Sequence, residues 1–234
     1  TAEEADGMVE RGVVRVGTPG TVGDDQNLIQ KENNFTLGIE IAKKKLGLAY
    51  ADLSTGEFYL RQIEFKDLEE ALAGEIIRIK PAEIIASHQN YNQPEVLRAL
   101  RAVPNVNIYP DDNWEKSTKN HLEVLKNHFE VKTLEGFGID ENEQKIGLKA
   151  AAGILGYLKE TQKSSLDHIK KITPYQKDNF LRLDPTTIVN LELLTTVRGE
   201  KSEATLINVL DNTHTAGGGR KLRNWLLHPL TNID

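Results

Sequence analysis

Between Phe35 and Phe65 apolar side chains recur at every second position, and that period leaves the chain little freedom in what it can become. Leu37, Ile39 and Ile41 alternate, Lys43-Lys44-Lys45 makes a turn, and Leu46, Leu48 and Tyr50 alternate again up to Leu53. Ser54-Thr55-Gly56 has the length of a three-residue hairpin loop, with glycine where a left-handed backbone is required. A third strand, Glu57 to Phe65, follows. Three strands joined by tight turns form an antiparallel meander.

The elements that can cover this sheet come next. Asp67-x-x-Glu70 is a capping box ahead of Leu68, Ala71, Leu72, Ile76 and Ile79 at helical spacing, and Pro81 stops that helix. Glu83 to Ser87 reads as a buried strand, and Pro94 opens a short helix carrying Val96, Leu97 and Leu100. Asn105 to Tyr109 is a further strand, and residues 114–129 form one helix with Leu122, Leu125 and Phe129 on a face. The order βββαβαβα predicts one mixed sheet with helices on its faces, which is the element order of the ribonuclease-H-like fold. Fold class alone does not fix function.

After Gly136-Phe137-Gly138 the pattern is all helical. Ile146, Ala150, Ile154, Tyr157 and Leu158 line one face of a long helix, whose alanines and Gly153 permit close approach of a neighbour. A connection containing Thr173-Pro174-Tyr175 leads to a helix that starts at Leu183-Asp184-Pro185-Thr186, with Ile188, Leu191 and Leu194 as its stripe. Ser202 is placed to cap a third helix bearing Leu206, Ile207, Val209 and Leu210. The expected organisation is therefore α/β plus all-α, with the boundary between residues 140 and 146. Residues 1–31 are the tail of a preceding unit and a linker, 32–142 the mixed-sheet unit, and 143–234 the helical part. The tail contains a short strand, Val13 to Val16, and a Thr18-Pro19-Gly20-Thr21 turn. A first residue that is not Met and an abrupt end at Asp234 lead us to expect a piece of something longer.

The sequence has no cysteine, which excludes disulfides and thiolate metal sites. A net charge of -6 argues against a nucleic-acid contact spread over the whole surface, although a local basic patch is compatible with it. No apolar run approaches the roughly 20 residues of a membrane helix, and no secretory leader opens the sequence, so no membrane partner and a cytoplasmic protein are expected.

The segment Leu210 to Leu230 carries the densest chemistry. Asp211, Thr213 and Thr215 are capping residues, Gly217, Gly218 and Gly219 free the backbone, and Pro229 ends a short helix. A glycine run before Arg220 and Lys221 invites a phosphate loop, but Lys221 is followed by Leu222 where that motif needs Ser or Thr. Arg220, Lys221 and Arg223 are candidates for DNA-backbone contact, against a solvated helix face. Trp225 with Leu222 and Leu226 reads as core, making Gly217–Gly219 and Trp225 a structural joint. Elsewhere, Glu40 in the first strand, with Asp52 and Glu57 near the second turn, is the one starting point for a two-metal nuclease. Glu40 lies on the opposite face from Leu37, Ile39 and Ile41, so a solvent-facing carboxylate is the plain alternative. His88, His121, His128, His168, His214 and His228 show no metal-ligand spacing, and no catalytic or metal residue is assigned.

Five blocks give the chain a resemblance to the MutS family of DNA mismatch-recognition proteins. They are Val9-Glu-Arg-x-Val-Val-Arg-Val16 with Thr18-Pro-Gly-Thr21, then Gly47-Leu-Ala-Tyr-Ala-Asp-Leu-Ser-Thr-Gly-Glu-Phe58, and Gly156-Tyr-Leu-Lys-Glu-Thr-Gln162. Leu183-Asp-Pro-Thr-Thr-Ile-Val-Asn-Leu-Glu-Leu193 is the fourth, and the fifth runs from Leu210 to Leu230. The resemblance implies the end of the mismatch-binding domain, the ribonuclease-H-like connector and the start of the helical core that carries the levers. It also implies MutL as a partner of the connector and a cytoplasmic, nucleoid-associated protein. In the full-length family member, mismatched duplex DNA, a MutS homodimer, and ATP with Mg are implied. None of the phenylalanines at 35, 58, 65, 129, 137 and 180 has Glu two residues on, as the family's mismatch-reading Phe-x-Glu motif requires. No phosphate loop is present either. The resemblance therefore implies a non-enzymatic, cofactor-free segment that transmits signals between DNA-binding and ATPase parts. Ala216-Gly217-Gly218-Gly219-Arg220 is richer in glycine than the family pattern.

Overall fold

The computed structural model describes residues 17–20, 33–101, 103, 106–175, 181, 183, 185–198, 204–227 and 229–231. The expected strand at Val13 to Val16, the capping role of Ser202 and the position of His228 lie outside these residues.

The meander forms as its period dictates. Strands β1 (Thr36–Ala42), β2 (Lys45–Asp52) and β3 (Glu57–Glu64) pair antiparallel, with Leu37 opposite Tyr50 and Leu48 opposite Arg61. Lys43 and Lys44 both take positive φ (50° and 62°), the geometry of a tight primed hairpin, and Gly56 turns the second corner at φ 72°. Helix α1 (Leu68–Ile79) follows, capped by Asp67, whose carboxylate accepts from the Glu70 N–H at 3.1 Å. Strand β4 (Glu83–Ala86) then runs parallel to β1. Short helix α2 (His88–Tyr91) and helix α3 (Pro94–Arg101) lead to β5 (Asn107–Pro110), which is parallel to β4.

Period two divides the side chains between two layers. Leu37, Ile39, Leu46, Leu48 and Tyr50 meet α1 and α3 in one core. Ala49, Ala51, Phe58 and Leu60 face the opposite way, toward α4 (Trp114–Lys119), α5 (His121–Phe129) and α6 (Lys145–Gln162). The helix expected over 114–129 is thus two, divided at Asn120, which lets Trp114 and Leu125 both reach this second core.

The expected break at 142/143 separates the sheet from its own covering helix. α6 lies across β1, β2 and β3, and Leu148, Ala150, Ala151, Ala152, Ile154, Leu155 and Leu158 are buried there. Its first free N–H groups, on Ile146 and Gly147, donate to Gln62 Oε1 at 2.8 and 3.1 Å. A strand residue caps the helix from 84 positions away in the case of Ile146, a pairing that local sequence does not signal. Two glycines admit α6 to the sheet. A Cβ on Gly38 would stand 2.2 Å from Ile154 Cγ1, and one on Gly47 would stand 2.3 Å from the Ile146 carbonyl oxygen. The small residues of this helix therefore serve sheet packing and not helix pairing alone.

The supposed connection at Thr173-Pro174 is a sixth strand, β6, parallel to β3, giving the order β5-β4-β1-β2-β3-β6. Beyond it lie α7 (Pro185–Asn190), α8 (Leu206–Leu210) and α9 (Ala216–Leu227). Ile188, Leu193, Leu194 and Ile207 make a third, small core with Leu222, Leu226 and Leu227 packed on it. Leu191, expected in the buried stripe, is 58 % exposed because α7 ends one residue earlier.

Candidate functional site

The chain leaves the sheet at Tyr175, and a cluster of charged and aromatic side chains is built around that exit. The Tyr175 N–H donates to the Leu60 carbonyl at 2.7 Å, holding the exit to β3. Arg61 occupies an inward position of β3, and Glu75 and Arg78 stand one α-helical turn apart on α1. Arg61 Nη1 lies 2.6 Å from Glu75 Oε1, and Arg78 donates from Nε and Nη2 to Glu75 Oε2 at 3.0 and 2.8 Å. One carboxylate thus accepts from two guanidinium groups on two elements.

Aromatic rings complete the cluster. The Arg78 guanidinium lies 4.4 Å from the Tyr175 ring centroid, and that of Arg61 lies 4.8 Å from it, within cation–π range. Arg78 is also 5.6 Å from the Tyr50 ring, which stacks on Tyr59 at 5.0 Å and meets the edge of Phe35 at 5.1 Å. Burial pulls the Arg61 pKa down and the Glu75 carboxylate opposes that pull. Burial pushes the Tyr175 hydroxyl up, and both arginines act against it. Arginine remains charged at neutral pH throughout, so the cluster is a held charge array, suited to positioning and not to proton transfer.

Two cavities flank the exit. One, of about 410 Å³, lies between Arg78, Lys80 and Tyr59 on the sheet side and Arg220, Lys221 and Leu227 of α9. The other, of about 440 Å³, lies between Arg61, Glu75 and Tyr175 and the segment bearing Leu181, Ile188 and Leu227. The exit is therefore where α/β and helical parts face one another.

Arg220, Lys221 and Arg223, the candidate DNA contacts, all line the first of these cavities. Lys221 Nζ sits 5.6 Å from the Trp225 ring centroid. The joint expected at Gly217–Gly219 and Trp225 takes another form. α9 begins at Ala216, so the three glycines lie inside its first turns and none has positive φ. The Thr215 side chain accepts from the Gly218 N–H at 3.0 Å and caps the helix. Trp225 is 61 % exposed, since Leu222, Leu226 and Leu227 take the inward stripe and leave its position on the outer face. With 217–219 helical and Leu222 after Lys221, these residues do not make a phosphate loop.

Glu40 is neither solvent-facing nor grouped with other acids. Its Oε2 accepts from the Trp114 indole N–H at 2.9 Å and from Asn90 Nδ2 at 3.3 Å, and burial raises its pKa. Asp52 and Glu57 pair with each other across β2 and β3, whereas Glu40 stands opposite Gly47 toward the other end of β2. Both Asp52 and Glu57 are bound by Asn33 Nδ2, at 3.0 and 2.5 Å, and Asp52 also accepts from Ser54. Among the described residues no group of three or more His, Asp or Glu could hold a metal ion. His121, His128 and His168 bond to the carbonyl oxygens of Thr118, Ile169 and Leu53, and His88 to Asp112, so their rings serve local structure. No helix among the described residues is long and apolar enough to cross a membrane.

Sequence reasoning missed Arg61, Glu75, Arg78 and Tyr175. The signal was a charged residue on an apolar stripe: Glu75 falls between Leu72 and Ile79, and Arg61 falls in register with Leu48.

The family model for MutS domain II matches residues 34–170 and that for MutS domain III matches residues 186–234. The DNA mismatch repair protein MutS of Syntrophomonas wolfei is 38% identical over 227 residues, covering 97% of this chain and 26% of that protein. MutS of Halothermothrix orenii is 39% identical over 227 residues, 97% of this chain and 25% of that protein. MutS of Methanococcoides burtonii is 35% identical over 234 residues, 99% of this chain and 26% of that protein. The chain spans about a quarter of the length of these relatives.

Proposed function

The chain belongs to the MutS family, and from that premise we propose that it is the connector and the beginning of the core of a DNA mismatch repair protein, working as a mechanical link and not as a catalyst. The observation that carries this reading is the clamp at Tyr175, which lies between the regions matched by the domain II and domain III models. Arg61, Glu75 and Arg78 fix the direction in which the helical part leaves the sheet. A change in that direction at one end is then felt at the other, which is what a transmission element requires.

We read the first unit as ribonuclease-H-like, supported by the order β5-β4-β1-β2-β3 with β2 alone antiparallel to its neighbours and helices on both faces. The bonds that Glu40 Oε2 accepts from Trp114 and Asn90, and the separation of Glu40 from Asp52, speak against a nuclease built on that fold. The large apolar side chains exposed on the helical part, Leu191, Val197, Val209, Leu210 and Trp225, offer a surface on which further core helices would pack. In the complete protein the role would extend to mismatched duplex DNA, a homodimer and an ATP-hydrolysing part. The connector would dock MutL. Isothermal titration of the chain with the amino-terminal domain of MutL from the same organism tests this. Saturable association in the micromolar range is expected, and no heat at tens of micromolar with a folded chain would overturn the docking role.

A further inference from the structure

Ahead of β1 the chain passes through a turn, Thr18-Pro19-Gly20, for which the sheet holds a fitted seat. Thr18 donates from Oγ1 to Glu83 Oε1 at 2.8 Å, and the Thr36 hydroxyl donates to the same oxygen at 3.2 Å. The Gly20 N–H adds a third bond to the Glu83 carboxyl. Asn34 Nδ2 donates to the Pro19 carbonyl at 3.0 Å, and Tyr157 of α6 bonds to the Thr18 side chain. Gly20 is buried, and a Cβ there would stand 2.1 Å from Thr36 Oγ1 and 2.7 Å from Glu83 Oε1, so only glycine fits the seat. Glu83 is fully buried beneath the turn, and its Oε2 has no hydrogen-bond partner among the described residues. Keeping that oxygen dry costs free energy that water would return. The seat exists without the turn, because Glu83 and Thr36 are register partners at the starts of β4 and β1 and bond to each other. The turn itself belongs to no strand, so lifting it breaks no ladder of the sheet.

From this geometry we propose that the Thr18-Pro19-Gly20 turn is a releasable strap: seated on Glu83 it fixes the direction in which the chain enters the sheet, and lifted it frees that entry while the sheet stays folded. Its meaning for signal transmission rests on the reading of the chain as a mechanical link, to which it adds a second joint. Release is linked to a proton. Burial raises the Glu83 pKa in the seated state. Glu83 is faced by Thr18 of the turn, by Thr36 of β1 and, through Thr18, by the Tyr157 hydroxyl of α6; Tyr109 of β5 and the Asp111 carboxylate just beyond it act on Tyr157 in turn. A neutral Glu83 therefore favours the seated strap. That benefit is complete below about 4.3, the ordinary value expected once the strap has lifted, and is lost as pH rises through the raised seated value.

Amide hydrogen exchange of the whole chain, followed residue by residue by NMR from acid to neutral pH, tests the strap against the β1 amides as an internal reference. In the wild type the protection factor of the Gly20 amide should lie below those of β1 and fall as pH rises, while β1 stays protected. Glu83→Gln keeps an acceptor oxygen and cannot ionise, so its protection at Gly20 should not change with pH. Thr18→Val removes one bond to Glu83 and should lower protection at Gly20 at least about fivefold, with β1 unchanged. Gly20→Ala should abolish protection at that position and again leave β1 intact. A Gly20 amide that exchanges only together with β1, or one unprotected in the wild type at every pH, would overturn the proposal. So would a pH dependence that survives in Glu83→Gln, or a loss of β1 protection in both Thr18→Val and Gly20→Ala. None of these outcomes involves MutL or the Tyr175 clamp, so failure of the strap is distinct from failure of the link.

Discussion

Glycine is the residue through which this fold is most directly tested. At Gly38 an added methyl would fall 2.2 Å from Ile154 Cγ1 and 2.9 Å from the Trp114 ring. Gly38→Ala is therefore expected to lower stability by about 1–3 kcal/mol in urea denaturation, because α6 cannot withdraw without opening the core. Gly74, inside α1, has nothing within 4 Å of its virtual Cβ, and Gly74→Ala should raise stability by about 0.5–1 kcal/mol. Equal effects at the two sites would contradict the packing described. Glu83 offers a second test. It is fully buried, accepts from the Thr18 and Thr36 hydroxyls at 2.8 and 3.2 Å, and burial raises its pKa. Its protonated form is thus the one the fold prefers. Its contribution is fully favourable below the unfolded value of about 4.3 and is lost as pH rises through the raised folded value. The stability difference between wild type and Glu83→Gln should accordingly shift against the wild type between acid and neutral pH, as urea midpoints would report. A difference independent of pH would count against the buried carboxylate.

At the scale of elements, what was legible in the sequence was whatever is encoded locally. The meander, the Asp67 cap, Gly56 at its corner and the strand at β4 follow from period and turn chemistry. What was not legible was encoded at long range. Gln62 caps α6 across the molecule, Thr173-Pro174 becomes a strand only because β3 is there to receive it, and Asn120 divides a helix that periodicity reads as continuous. The candidate site was hidden for the same reason, since Arg61 and Glu75 are unremarkable until β3 and α1 are packed together. That pairing carries its own expectation. The side chains of Arg61, Glu75 and Arg78 are only 9, 10 and 15 % exposed, so Glu75→Ala strands two guanidinium groups and should cost about 3–5 kcal/mol. The exposed pair Arg98–Glu69, at 2.7 Å, should leave the denaturation midpoint close to that of the wild type when Arg98 is replaced by Ala. Chemical denaturation of the two variants separates a structural clamp from a surface pair.

For the whole molecule, the contrast between its parts is the main physical fact. The α/β unit closes two cores on one sheet, whereas the described residues of the helical part form one small core and leave large apolar side chains exposed. A link of this kind depends on the exit at Tyr175 holding one direction. The sequence contains no cysteine, so two spin labels can be placed without removing any native residue of that type. Tyr109→Cys on β5 and Trp225→Cys on α9 are both exposed and lie on opposite sides of the exit. Electron–electron double resonance between them measures the distance across the link directly. The clamp predicts a single narrow distance distribution in the otherwise native chain and a broad one in Glu75→Gln with its secondary structure retained. A distribution that is broad from the start, or one that Glu75→Gln leaves unchanged, would contradict the claim that Arg61, Glu75, Arg78 and Tyr175 join the two units.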